Sequence, residues 1–594
     1  MQRFLLAASL APLLLRSCSA ALHENLASLD ALNKSFDFIV VGGGTSGNVL
    51  ANRLSEKSGF NVLVLEAGGS NEGISDITVP LLCVTASPFT AQDWNYTSVA
   101  QTHMNDRVIS YPRGFVLGGS SSINYMAWTR GATEDWNRLA SIADDQRWSW
   151  NSLLPYFRKN EKFTTPSDGH DTTGQYDPSL HSTTGRTSVT LGVPVEIDSK
   201  VIGMTSDPEF PFNLDMNSGS EIGLGYTQMS INDGARSSSA TAYLSSDALS
   251  RPNLHVLLHA RVTRILPTTT NSFRTVEFRD AQGNTIALTA SKEVILSAGS
   301  VGTPSILMHS GIGDAAALTA LGITPLKNLP SVGKNLSDHP LLPLEWPVNS
   351  DGGTFDPIFQ NSGQFTSALG TWNSNRTGRM SSTPISHIGF FRAPNTTFAA
   401  PDTPDPAAGP TTPHFEFLII NGFVGYRAGP PTGTYLTLGI AVVSPASRGS
   451  ITLGSSDPLA PPLIDPNFFA QDVDVAMMRA GVRSAFRFVG GAAFAGYIAD
   501  STVVDGLGNA STDAEVDAFI RGNTGTVFHP VGTAAMSPVN ATWGVVDPDC
   551  KVKGVHGLRV VDLSVMTRVV AGHPQAAAYV IAERVSDMIK AVWT

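Results

Sequence analysis

The hydrophobic and polar positions of this chain follow two periods, and their first alternation is the most regular. Phe36 to Val41 (FDFIVV) is apolar and β-branched with a single Asp, the pattern of a buried parallel strand. From Asn48 to Glu56 the apolar positions Val49, Leu50 and Leu54 recur at helical spacing, and Asn61 to Leu65 (NVLVL) predicts a second strand. Strand-like runs return far along the chain, at Leu254 to Leu258, Glu293 to Leu296 and Gly557 to Val561. A last helix is expected from about Pro574 to Ala591, with Pro574 suited to its first turn. Thr397 to Thr412 (TFAAPDTPDPAAGPTT) is dense in Pro and Gly and predicts a surface loop inside a domain rather than a linker.

Between the first strand and its helix lies a GxGxxG turn. There Gly42 permits the tight turn, Gly44 lets the backbone approach a pyrophosphate, and Gly47 lets helix and strand pack closely; Thr45 and Ser46 sit in the phosphate-facing first turn. The second strand ends in Glu66, nineteen positions after Gly47, where a carboxylate can accept both hydroxyls of an adenosine ribose and disfavours a 2′-phosphate. Such features at the start, middle and end of the chain predict a discontinuous nucleotide-binding domain.

A length of 594 residues exceeds the roughly 250–300 at which a single core stops growing, so two or more structural units are expected. The formal charge of −11 offers no basic patch for nucleic acid and no attraction to anionic lipid. At the N-terminus, residues 1–20 (MQRFLLAASLAPLLLRSCSA) have Arg3, an apolar stretch and small residues up to Ala20, which predicts a cleaved secretory signal rather than a membrane span. Seven N-x-S/T sequons begin at Asn33, Asn95, Asn335, Asn375, Asn395, Asn509 and Asn540, as a secreted glycoprotein would carry. Cys18 leaves with the signal, so Cys83 and Cys550 form at most one disulfide, or remain two buried thiols.

Four further blocks carry a resemblance. PRGFVLGGSSSINYMAWTRG (from Pro112), GSVGTPSILMHSGIG (from Gly299), LPSVGKNLSDHP (from Leu329) and FHPVGTAAM with GHPQ (from Phe528 and Gly572) follow the glycine turn in an order similar to that of the glucose-methanol-choline (GMC) oxidoreductases. Within that family the chain looks most like the fungal aryl-alcohol oxidase and dehydrogenase branch. The resemblance implies an α/β fold in a two-domain, α+β arrangement. A discontinuous Rossmann-like FAD-binding domain would span 36–345, with a substrate-domain insertion at about 150–230. An antiparallel-sheet substrate-binding domain would span 346–513, and a C-terminal FAD-binding and catalytic segment 514–594. It further implies FAD, with no metal: Gly42, Gly44, Thr45, Ser46, Gly47, Glu66, Val262 and Asp562 would hold the nucleotide, and Arg113, Gly118, Gly119, Ser120 and Asn124 would reach the pyrophosphate and flavin. The SDHP block, with His339, would lie near the ADP moiety. In some relatives a histidine just before that Asn links covalently to flavin; here the position is Ile123, so non-covalent FAD is expected.

By the same resemblance His529 is the base that removes the alcohol's hydroxyl proton as hydride leaves for the flavin, and His573 positions the hydroxyl. Imidazole, with an unperturbed pKa near 6.5, suits that work. Tyr125 and Phe528 match aromatic positions of an aryl-alcohol pocket, whereas a sugar would call for several fixed polar groups. The expected activity is therefore oxidation of primary, aryl or allylic alcohols to aldehydes, in a secreted metabolite pathway or lignocellulose breakdown. Dioxygen or a quinone would take up the electrons. Two alternatives stand beside it: a lyase or cyclase on the same scaffold, and an NAD-linked dehydrogenase, which the glycine turn alone allows.

Overall fold

In the computed structural model, which describes residues 21–30, 35–398 and 404–593, all five of the predicted strands pair side by side in one parallel sheet. Its order is Leu22–His23, Leu254–Leu257, Val62–Leu65, Phe38–Val41, Glu293–Leu296 and Leu558–Val560. Strands of this sheet are buried on both faces, which is why they appear in the sequence as unbroken apolar runs rather than alternating ones. The edge strand Leu22–His23 is too short to show a period. Helices Thr45–Ser55 and Gln575–Trp593 pack along one another, so the two ends of the chain close one domain. The expected signal, Asn33, and 399–403 of the proline-rich stretch lie outside the described residues.

A second, antiparallel sheet has the order Gly525–Thr526, Pro340–Pro347, Tyr435–Val442, Phe415–Ile420, Ile385–Phe391 and Gly223–Tyr226. Phe417, Leu438 and Ile440 share one apolar cluster with Met478, Val482 and Phe488 of helix Asp472–Val489. Leu418, Ala441 and Val443 belong to another cluster, which contains Ala571 of the C-terminal segment. The sheet thus has the helix on one side and the nucleotide domain on the other, and the site described below lies at that junction.

Cys83 and Cys550 are both buried free thiols in different apolar clusters, so the single disulfide considered from the sequence is not made. Among the described residues no helix is long and apolar enough to cross a membrane, and no cluster of three or more His, Cys, Asp or Glu could hold a metal ion.

The segment between the two sheets is anchored by buried charge. His181 Nδ1 lies 2.6 Å from Glu161 Oε1 and its Nε2 lies 2.7 Å from Asp215 Oδ2, while Arg130 donates to both oxygens of Glu161. Both imidazole nitrogens can donate to carboxylates only in the protonated ring. Burial opposes that charge, but the hydrogen bonds that the ring donates to Asp215 and Glu161 outweigh it and raise the His181 pKa. A raised folded-state pKa adds stability that is fully present below the ordinary histidine value and is lost as pH rises through the folded one. The melting temperature of the protein should therefore exceed that of His181→Gln most at about pH 6, with the gap narrowing by the order of 2 °C toward alkaline pH. A gap that stays constant in thermal melts across that range contradicts the assignment.

Candidate active site

The parallel strands run the same way, and the residues just beyond five of them face one cleft: Gly42, Glu66, Ala260, Ser297 and Asp562. That is the crevice at the carboxyl ends of a doubly wound sheet where ligands bind. Gly44, Thr45, Ser46 and Val262 also line it, as do Arg113, Gly119 and Ser120 of the second glycine-rich turn. Gly47 and Gly118 do not; they shape the turns beneath.

The three glycines of the first turn are glycine for three different reasons. Gly42 has φ +100°, and a Cβ there would lie 2.5 Å from the Ser297 carbonyl oxygen. At Gly47 a Cβ would meet the Gly42 carbonyl oxygen at 1.9 Å, so only glycine lets helix and strand approach. At Gly44 the nearest protein atom would be 3.8 Å away. Protein packing would admit a side chain there, and it is the cleft that requires bare backbone. Gly119, at φ +53°, brings the GGSS turn against it, since a Cβ on Gly119 would be 2.8 Å from the Gly44 Cα.

Two helices begin at the cleft without a side-chain cap, Thr45–Ser55 after Gly44 and Gly299–His309 after Ala298. Their first-turn N–H groups, apart from that of Gly299, and their positive dipole ends suit a pyrophosphate. Asp562 shapes the second by accepting from Gly299 N at 2.9 Å and Thr303 Oγ1 at 2.6 Å. Glu66 accepts from Gly43 N and Gly68 N, each at 2.8 Å, and keeps a second acceptor site on each oxygen for ribose hydroxyls. Burial pushes this carboxyl up to about 7 against the pull of those amides. Trp94 and Tyr96, stacked 5.5 Å apart, add an aromatic wall that the sequence did not announce. These residues fit FAD.

His529 is held at backbone and ring by two consecutive residues. Its N–H donates to Asp338 Oδ1 at 2.8 Å, and its Nδ1 lies 3.1 Å from His339 Nδ1. The expectation that SDHP lies near the ADP moiety is therefore corrected: His339 is absent from the nucleotide cleft and packs on His529. The reason is strand geometry, since Pro340 starts a strand of the antiparallel sheet and draws the block toward the junction. Phe528 sits at φ +66°, a left-handed conformation uncommon for a bulky residue, fixed by its N–H to Thr526 Oγ1 and its carbonyl to Arg113. Burial, then His573, His339 and Arg113, push His529 well below the ordinary imidazole pKa, so it stands neutral with Nε2 free of any partner among the described residues.

The His573 ring lies 4.8 Å from that of His529 at 79°. Its N–H donates to Thr129 Oγ1 at 2.7 Å and its Nε2 lies 2.8 Å from Oε1 of the fully buried Glu416. Glu221 is buried close by; burial, then Asp135 and Glu416, push its pKa well above the carboxylate range. Tyr125 packs against both the Cys83–Met229 and the Leu81–Ile420 clusters and does not line the nucleotide cleft. Asn124 donates to Gln575 Oε1 at 2.7 Å and accepts from Arg236 at 2.7 Å, which ties the GGSS turn to the last helix. The sequence reading missed Asp338 and Glu416. The second carried one signal, a lone charge inside the apolar strand FEFLII.

A dinucleotide cleft with paired histidines beside it defines an FAD-dependent oxidoreductase acting on CH–OH groups. Two sequence-family models, each described as GMC oxidoreductase, match residues 36–341 and 445–582, and the chain belongs to that family. It is 41% identical to a pyranose dehydrogenase of Agaricus campestris over 573 residues, 93% of each chain. A formate oxidase of Aspergillus oryzae RIB40 superposes with a TM-score of 0.86 at 30% identity, covering 94% of this chain and 98% of that one. A fungal aryl-alcohol oxidase superposes at 0.80 with 25% identity, covering 94% and 99%.

Gly44→Ala should fold with unchanged melting behaviour of the apoprotein yet lose FAD affinity by about tenfold or more, whereas Gly47→Ala should compromise folding itself. Absorbance at the flavin band and circular dichroism separate the two; equal effects would contradict the assignment. Ile123 is buried among Ile77, Ala86 and Val116 and offers no nucleophile, so acid precipitation should release all yellow colour into the supernatant. Colour retained in the pellet contradicts non-covalent binding.

Proposed function

We propose that the protein oxidises a primary alcohol, aryl or allylic, to the aldehyde, with His529 as base and His573 orienting the hydroxyl. The observation that carries this is the pair of perpendicular imidazoles, one neutral with a free Nε2 and the other backed by a buried carboxylate. The hydroxyl proton passes to His529 Nε2. His573, with Nε2 turned to Glu416, has its Nδ1 left to meet the substrate hydroxyl. Bound FAD supplies the hydride acceptor. Tyr125, packed on the apolar cluster that also holds Ala571, and Phe528, adjacent to His529 in the chain, are the aromatic residues that support a benzylic substrate. Dioxygen or a quinone would then reoxidise the cofactor.

A second reading, oxidation of a pyranose hydroxyl, is favoured by the 41% identity with the pyranose dehydrogenase. Anaerobic titration with a benzylic alcohol and with glucose distinguishes them: the first reading expects a substantially lower dissociation constant for the benzylic alcohol. A reversed preference overturns it.

Secretion and N-glycosylation are part of the proposal, supported by the N-terminal sequence and by the exposure of Asn95, Asn375, Asn395, Asn509 and Asn540. Asn335 is the exception, since its amide nitrogen donates to the Thr567 carbonyl at 2.8 Å. Glycopeptide mapping should find Asn335 bare; an occupied Asn335 contradicts the structure there.

The central experiment is His529→Ala. Loss of the base should slow flavin reduction by about 10²–10⁴-fold while FAD stays bound, because no cleft residue is removed. The variant should regain rate toward alkaline pH, where more alkoxide is present. Stopped-flow reduction at nearly the parental rate would mean that His529 is not the base.

A further inference from the structure

The contact between His529 and His339 joins like atoms, Nδ1 to Nδ1, at 3.1 Å. Two neutral imidazoles bond this way only if one carries its proton on Nδ1 and the other does not. The choice decides whether His529 can work. If His339 donates, His529 carries its proton on Nε2 and presents a donor, not a base, to the substrate. If His529 donates, its Nε2 lone pair is free.

The surroundings of His339 settle which arrangement is satisfied. The ring is fully buried, and the backbone carbonyls of Val443 and Val570 bear on it. A carbonyl accepts and never donates, so these neighbours favour a hydrogen on the nitrogen turned away from His529. Nε2 makes no full hydrogen bond, and a lone pair there would face acceptors with nothing to offer it. We propose that His339 is a positioning residue that sets the tautomer of the base: it holds its own proton on Nε2, accepts from His529 Nδ1–H, and so leaves His529 Nε2 open to take the hydroxyl proton. When His529 gains that proton the Nδ1–H bond to His339 persists and strengthens, now charge-assisted. Burial, then the neighbouring His573, push the His339 pKa down to about 3, so His339 stands neutral beside His529. A carboxylate in this place would favour the charged base permanently; an imidazole orients it without doing so.

This inference rests on the alcohol-oxidation reading, and the experiment separates the two. His339→Asn keeps an acceptor oxygen near the position of Nδ1, and His339→Leu has similar bulk and no acceptor. On the FAD-loaded enzyme with a benzylic alcohol, the Asn variant should reduce flavin within about tenfold of the parent, and the Leu variant about 10²–10³-fold more slowly, with substrate affinity changed little. In ¹⁵N spectra of ring-labelled protein the His529 resonances, assigned by their loss in His529→Gln, should be those of the Nδ1–H tautomer in the parent. The proposal is overturned if the Leu variant reduces flavin at the parental rate, if Asn and Leu are equally slow while folded and yellow, or if parental His529 is the Nε2–H tautomer. The spectrum of the parent decides even if the Leu variant fails to fold. A His529→Ala enzyme that turns over normally would instead defeat the alcohol-oxidation reading itself.

Discussion

The site depends on one buried carboxylate. Asp338 accepts four hydrogen bonds: Oδ1 from the N–H groups of His339 and His529, and Oδ2 from the hydroxyls of Tyr111 and Thr526. Three stretches of chain, around residues 111, 338 and 526–529, are thereby fixed on one group inside the protein. Each of those donors left unpaired in the interior would cost about 1–3 kcal/mol, so the arrangement is held as a set. Because His529 sits at the end of that set, its position follows from a buried carboxylate far from it in sequence. Phe528 keeps its left-handed backbone for the same reason: Thr526 and Arg113 hold it from both sides.

Backbone approach does for the nucleotide cleft what Asp338 does for the base. Gly47 against Gly42 sets the first helix over its strand, and Gly119 against Gly44 brings the second turn onto the first. Arg113 lines the cleft and also reaches the Phe528 carbonyl, so one side chain joins the nucleotide wall to the catalytic segment. On the far side the antiparallel sheet supplies Glu416 behind His573. Nucleotide wall, His529 and His573 thus come from both sheets and from both ends of the chain, and the proposed chemistry sits where these meet.

Much of this was legible in the sequence because local physics and function agree there. Buried parallel strands write unbroken apolar runs, and a pyrophosphate turn demands glycine at fixed spacing, so Phe36 to Glu66 could be read residue by residue. His529 and His573 were legible through the blocks around them rather than through any property of histidine. Glu416 was not, because its partner lies 157 positions away and a strand pattern says only that the residue is buried. The placement of His339 was misjudged for a related reason: a loop motif carries no information about which sheet its next strand will join. Whether Cys83 and Cys550 pair was equally invisible, since pairing is set by the fold and not by spacing.

The central claim is that this pair of histidines serves net oxidation of an alcohol. Its most direct test is the visible spectrum of the purified yellow protein, recorded without oxygen before and after an excess of a benzylic alcohol. The account predicts that the flavin band bleaches and that one equivalent of aldehyde forms per flavin. A band that persists while product accumulates, or a protein that carries no flavin at all, would contradict it.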